Sequence, residues 1–238
     1  MLFLAVIAVA TLVRSAFGFG EALVAVPLLA LLMPVNTAAP VAALISITVA
    51  GVVLVQDWAH VHVRSAAWLV ASTMVGVPLG VWLLTHVPEG SVKAALALII
   101  IGFSSWSLWS GHRAALGDDR RAWMFGFVAG VLGGAYGMNG PPLAIYGTLR
   151  GWTPAQFRAT LQGYFLPASV AVVSGYWVAG LWTRTVTQLY LTSLPVVVLA
   201  ILMGRVINRR LHAARFVLYV HAGVIVIGII LLLQAIRA

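Results

Sequence analysis

The sequence contains no cysteine and very little charge: 14 lysines and arginines and 5 aspartates and glutamates in 238 residues, or 8%. Without cysteine there is no disulfide, no thiolate metal site and no cysteine nucleophile. A soluble domain carries about a quarter of its residues as charge, so a chain this poor in charge and 62% hydrophobic is not built to face water. Catalytic constellations are missing too. Within the apolar segments there is no carboxylate pair, and His221 has no serine or acid at a spacing that would complete a dyad. His60 and His62 alternate instead of forming a helical metal pair, and no acidic cluster joins them. No glycine-lysine-serine nucleotide motif occurs. These absences argue against an enzyme and imply no cofactor.

What is present is a series of apolar runs, each about 18 residues or longer and so able to span a bilayer. The fold class expected is all-α, a polytopic integral membrane helical bundle. The net charge of +9 has no basic, aromatic-interleaved soluble stretch behind it, so no nucleic acid partner is expected. The arginines are better read as orientation signals. The first 13 residues, MLFLAVIAVATLV, have no basic residue ahead of them, unlike a cleaved leader.

Continuous spans are expected at 38–55, 65–84, 93–110, 157–180, 185–204 and 214–236, with Trp58, Trp68, Trp109, Trp152, Trp177 and Trp182 marking interfaces. Segments 1–34 and 122–150 are too long for one span, too short for two, and broken by glycine near the middle. They resemble each other: Phe17-Gly18-Phe19-Gly20-Glu21 corresponds to Tyr136-Gly137-Met138-Asn139-Gly140. Each is followed by a short proline-containing turn and three spans. Residues 1–110 and 122–238 thus read as two repeats joined by a hydrophilic linker, 111–121, in the manner of many secondary transporters.

Positive charge distinguishes crossing helices from hairpins, because lysine and arginine accumulate on the cytoplasmic side. If segments 1–34 and 122–150 both cross, the basic residues divide six against seven. If both are re-entrant, Arg64, Arg113, Arg120, Arg121, Arg150, Arg158, Arg205, Arg209, Arg210 and Arg215 share a side, opposite Lys93, Arg184 and Arg237. Ten against three favours hairpins, inverted repeats and both termini outside the cytoplasm.

Unpaired backbone in hydrocarbon is tolerated where it lines a cavity. Each break begins a half-helix whose free N–H groups and dipole suit an anion. Pro141 and Pro142 fit the first turn, and Gly133, Gly134, Gly137 and Gly140 would let backbone approach a ligand. For Gly126 and Gly130, close helix packing is the better account.

The motifs FGFGEALVAVPLLALL and GGAYGMNGPPLAIYGTLRGWTPAQFRATL resemble the two repeats of the TauE/SafE sulfite exporter family over nearly the whole chain. The resemblance implies transport of a small sulfur-containing or organic anion such as sulfite or a sulfonate, across a bacterial-type inner membrane. Thr160 matches a small polar position of the family repeat and is expected near the same cavity. Phe19 and Glu21 depart from the glycine-rich pattern in the first repeat.

Several residues are candidates for the substrate site. Arg14, deep in an apolar segment, is a counter-charge for an anion. Gly18, Gly20, Gly137 and Gly140 offer backbone, and Tyr136, Asn139 and Tyr146 offer hydrogen bonds. Arg158, following the cap Thr153-Pro154, either offers a planar fork for an oxyanion, with Gln162 and Phe165 on the same face, or contacts lipid headgroups at the cytoplasmic interface near Trp152. Glu21 is either a coupling residue, a partner of Arg14, or an acid favoured by a helix N-terminus. His60, His62, His112 and His212 are expected in solvated loops, and Asp118 to Arg121 in the linker. The function expected is a secondary-active transporter alternating access around a midplane site, with an anion channel of the same architecture as the alternative. Its partners are then the anion and the lipid bilayer; a homodimer is compatible with the sequence, which leaves oligomeric state open.

Overall fold

The computed structural model describes residues 1–57, 62–109, 116, 118–208 and, near the end, 225, 226, 228–230, 232, 233, 235 and 236. For residues 16, 17, 53–57, 107, 154, 155, 158 and 205–208 the description is of backbone. Trp58, His60, His112, Arg113, Arg209, Arg210, His212, Arg215, His221 and Arg237 therefore lie outside the described residues, as do most of the linker and of the last expected span.

Among the described residues the regular elements are helices: α1 (Leu2–Phe17), α2 (Glu21–Ala30), α3 (Val35–Asp57), α4 (Val63–His86), α5 (Glu89–Trp109), α6 (Ala122–Tyr136), α7 (Gly140–Leu149), α8 (Pro154–Val178) and α9 (Arg184–Asn208). Four stretches among the described residues are long and apolar enough to cross a membrane: Val35–Val52, Val63–His86, Glu89–Trp106 and Arg184–Gly204. Helix α8 has 25 residues and the length to cross at about 1.5 Å per residue, but carries a more polar face. On α4, Trp68 and Trp82 are both exposed and lie roughly 21 Å apart along the axis. Leu191, Val198, Leu199, Leu202 and Met203 make an exposed apolar face on α9. In a water-soluble protein such a face would be a liability; on an integral membrane protein it faces lipid.

Both awkward segments are interrupted helices. Helix α1 ends where Gly18 turns left-handed (φ 84°) and its N–H donates to the Arg14 carbonyl at 2.6 Å. Helix α6 ends the same way at Gly137 (φ 64°), whose N–H donates to the Gly133 carbonyl at 2.7 Å. Both are left-handed caps of the kind glycine favours, and at the second the Met138 N–H also donates to the Leu132 carbonyl at 3.3 Å. The correspondence continues through the chain: Gly18 and Gly137, Glu21 and Gly140, and the starts of α3 and α8 at Val35 and Pro154, are each 119 positions apart.

The first break reverses the chain. Thr11 Oγ1 donates to Glu21 Oε1 at 3.2 Å, whereas ten residues of straight helix would separate them by about 15 Å. Helix α1 packs on α2 and α6 on α7, while the two halves interlock: α1 lies on α9, α6 on α4, and α3 on α8 in the middle. The α4–α6 contact is the tightest. Gly76 and Gly80 face Gly130 and Gly134, and Gly126 lies on Leu69 and Ser72, so close that a methyl on Gly80 would strike the Val131 carbonyl and lie 2.8 Å from Gly134 Cα. Gly126 and Gly130 pack helices as expected. Gly134 does so too, contrary to the expectation that it approaches a ligand, and Gly133 lies under Val172 and Asn139.

Candidate functional site

The reversal at Gly18–Gly20 brings Arg14 and Glu21 together. Arg14 Nη1 donates to Glu21 Oε2 at 2.6 Å and to Ser46 Oγ of α3 at 2.6 Å; Nη2 donates to Gln162 Oε1 of α8 at 3.1 Å. The guanidinium carbon lies 4.8 Å from the centre of the Phe165 ring, within cation–π range. Arg14 and Glu21 are each 3% exposed, so this is a buried charge pair held by four elements. Of the three readings of Glu21, two are observed together: it pairs with Arg14 and opens the first turn of α2. Gln162 completes the ring by donating from Nε2 to the Gly18 carbonyl at 2.6 Å. Arg14 Nε and the neighbouring Ser15 Oγ, both buried, have no hydrogen-bond partner among the described residues. An unpaired buried donor is destabilising unless something else satisfies it.

The pair borders a small cavity of about 20 Å³ where the two breaks converge. Gly20, Glu21, Ala22 and Leu23 line it from the first break, and Met138, Asn139, Gly140 and Pro141 from the second. Phe19, Ser46, Phe103 and Phe165 close the walls. The two breaks do not offer equal cradles. At α7, Pro141 and Pro142 occupy the first turn and carry no N–H, so Asn139 and Gly140 are the amides left at that end. At α2, the first intrahelical bond beyond the cap is Val24 to Gly20, leaving the amides of Glu21, Ala22 and Leu23 free of helical partners. The proline-free break that departs from the glycine-rich pattern thus presents the better donor set.

Among the residues singled out in the sequence, Arg14, Gly20, Glu21, Asn139 and Gly140 border the cavity. Gly18 and Gln162 stand behind Arg14 and hold it. Gly137 sits against the Ala39 backbone, and Tyr136 is buried at the end of α6; neither borders the cavity. Arg158 has its backbone in the first turns of α8, and its side chain lies outside the described residues. Ser46, Thr11 and Phe103 were missed. Ser46 had one sequence signal, a hydroxyl in an apolar span, but its partner is decided by how α3 packs.

Four expectations fail here. Tyr146 does not reach the cavity: its hydroxyl donates to Asp119 Oδ1. Thr160 Oγ1 accepts from the His62 N–H at 3.0 Å. His62 is no solvated loop residue, since its Nδ1 lies 2.8 Å from Ser65 Oγ, which in turn donates to Asp119 at 2.7 Å. Trp152, expected at an interface, has its indole nitrogen buried and packs between Tyr146 and Phe157. Asp119 is consequently more than a linker residue: Arg150 Nε lies 3.2 Å from it, with both side chains mostly buried. Burial alone would raise the Asp119 pKa. Hydrogen bonds from Tyr146 and Ser65 and the nearby Arg150 and His62 outweigh that and hold its carboxyl below the usual carboxylate range. This cluster lies in the linker region, and none of its members borders the cavity.

A family model described as Sulfite exporter TauE/SafE matches residues 2–231. A relative from Cupriavidus necator, named "Probable sulfite/organosulfonate exporter TauE", is 26% identical over 196 residues, covering 80% of this chain and 76% of its own. No solved structure matches the chain.

Proposed function

Since this chain belongs to the TauE/SafE sulfite exporter family, whose members are membrane transporters and not enzymes, we propose that it is a secondary carrier for a small oxyanion of the sulfite or organosulfonate class. The substrate binds at Arg14, between the two helix breaks, and access alternates as the interlocked halves rock. One observation carries this reading: both breaks and a buried arginine with an unpaired Nε border one cavity. A planar guanidinium beside free helix amides is suited to an anion with several oxygens. The apolar walls at Phe19, Phe103, Met138 and Phe165 favour a carrier over a channel, which needs a continuous polar path. The constant spacing of the repeats supports a duplicated unit, and the arginine distribution supports hairpins, hence inverted halves and both termini outside the cytoplasm.

The test is a thermal-shift screen of purified protein with sulfite, sulfate, thiosulfate, short sulfonates and matched carboxylates. A ligand at a hundred times its Kd adds about 2.7 kcal/mol to the folded state. The expected result is a shift with sulfite or sulfonates that exceeds the shift with carboxylates and weakens in Arg14→Lys, which keeps the charge but loses the fork. No shift with any anion would remove the preformed site. Saturable counterflow in proteoliposomes would then separate carrier from channel.

A further inference from the structure

Arg14 is already neutralised by Glu21, and that sets a condition on binding. One of the two Nη1 contacts goes to the Glu21 carboxylate at 2.6 Å, and the carboxylate's other oxygen is held by Thr11. The groups facing the pair from the other elements are neutral: Ser46 on α3, Phe103 on α5, Asn139 ahead of α7, and Gln162 and Phe165 on α8. Among the described residues that border the cavity, Arg14 and Glu21 are the charged ones, and their charges cancel. An oxyanion entering this space meets a guanidinium whose charge is spent and a carboxylate that repels it across a few ångströms, where the surroundings screen weakly. Leaving the carboxylate ionised would bury an uncompensated negative charge.

We propose that the oxyanion binds together with one proton, and that Glu21 carries it. This rests on the oxyanion-carrier reading above and adds a second transported ion to it. As the anion takes the Arg14 fork, the Glu21 carboxylate accepts a proton from the side on which the site is open. Nη1 is then released to the anion, and the neutral carboxyl keeps its bond from Thr11. On the other side the anion leaves, the proton is lost to water, and the ion pair closes again. The loaded cavity with a monoanion has the same net charge as the empty one, so the two states that move across the bilayer are alike in charge. Anion and proton travel in the same direction, and transport of a monoanion is electroneutral.

The experiment uses ethanesulfonate, a strong acid's anion that cannot itself carry a proton at these pH values, with the full chain in proteoliposomes containing a pH-sensitive dye. With potential clamped by potassium and valinomycin, an inward ethanesulfonate gradient should acidify the lumen by one proton per anion taken up. Binding to purified protein should weaken tenfold per pH unit once the pH exceeds the point at which Glu21 ionises in the empty carrier, because one proton is bound with each anion. In Glu21→Gln, binding should lose this pH dependence and uptake should no longer acidify the lumen. Anion uptake by the wild-type protein without proton movement, together with pH-independent binding, overturns the coupling and leaves the carrier intact. If neither binding nor uptake of any sulfonate or sulfite occurs, the carrier reading fails and the coupling with it. The wild-type proton measurement decides the matter even if the variant does not fold.

Discussion

Arg14 and Glu21 show how a pair of residues can be costly apart and tolerable together. Removing one partner of a buried ion pair leaves an unpaired charge and costs about 3–5 kcal/mol. Arg14→Ala and Glu21→Ala should each be destabilised by that order, and the double variant by clearly less than the sum, as unfolding in detergent would measure. Additive losses would mean the two do not act as a unit. The glycines nearby separate two kinds of constraint. Gly20 has φ 96° with ordinary room around it, so Gly20→Ala should lose about 1–2 kcal/mol from conformation alone. A methyl on Gly140, by contrast, would meet nothing nearer than Phe165 Cζ at 3.9 Å. Gly140→Ala should therefore stay within about 0.5 kcal/mol of the parent while weakening anion binding, because the methyl projects into space the ligand needs. Equal affinity in this variant would argue that the anion does not sit against the second break.

Two element-scale contacts make opposite demands. Helices α4 and α6 approach backbone to backbone along Gly76, Gly80, Gly126, Gly130 and Gly134, which is how small residues let membrane helices associate. With backbone on both sides nothing can yield, so Gly80→Val should lose more than the usual 1–3 kcal/mol of overpacking and fail to give folded protein. Gly51→Ala, where no atom lies within 4 Å, should be neutral or slightly stabilising; equal behaviour of the two in expression and unfolding assays would refute the packing account. At the other end of the bundle, Asp119 joins the start of α4 to the end of α7 through Ser65, Tyr146 and Arg150. Its carboxyl titrates below the ordinary range in the folded protein. The stabilisation is therefore present above the unfolded-state value and lost as pH falls through the folded one. The difference in stability between the parent and Asp119→Asn should be largest near neutrality and shrink below about pH 4; a constant difference would show that the charge is irrelevant.

At the scale of the whole molecule, the halves share their surfaces instead of standing as separate domains. The first helix of each half packs on the fourth helix of the other, and α3 meets α8 between them. Movement of one half must therefore be felt in both breaks, which is what a single site between them requires. The arrangement also makes a topological prediction. The chain has no cysteine, so single cysteines report cleanly. Cysteine at Lys93 or Arg184 should react with an impermeant maleimide in intact cells, and cysteine at Arg64 or Arg121 after permeabilisation. The reverse pattern would invert the orientation, and labelling of the Lys93 and Arg184 positions from opposite sides would undo the hairpin topology.

Composition and periodicity determined the class of this protein, because a helix in lipid must satisfy its own backbone and shows it as a long apolar run. The two breaks were legible for a similar reason: left-handed backbone at Gly18, Gly20 and Gly137 demands glycine, and the FGFGE and YGMNG patterns display it. Thr153 and Pro154 likewise announced the start of α8, where Thr153 accepts from the Gln156 N–H at 3.3 Å. Partners were another matter. The separation of 148 positions between Arg14 and Gln162, and the packing of α3 that brings Ser46 to the same guanidinium, leave no mark on local pattern. Tyr146 looked like Tyr136 in the sequence, and only tertiary structure sent it to Asp119. Gly134 looked like a ligand glycine and proved to be a packing one. Sequence records what each backbone position can adopt and what each segment can be immersed in. Which side chains share a cavity is decided by helix contacts between distant parts of the chain, and those contacts brought one arginine and one glutamate to the same point inside the protein.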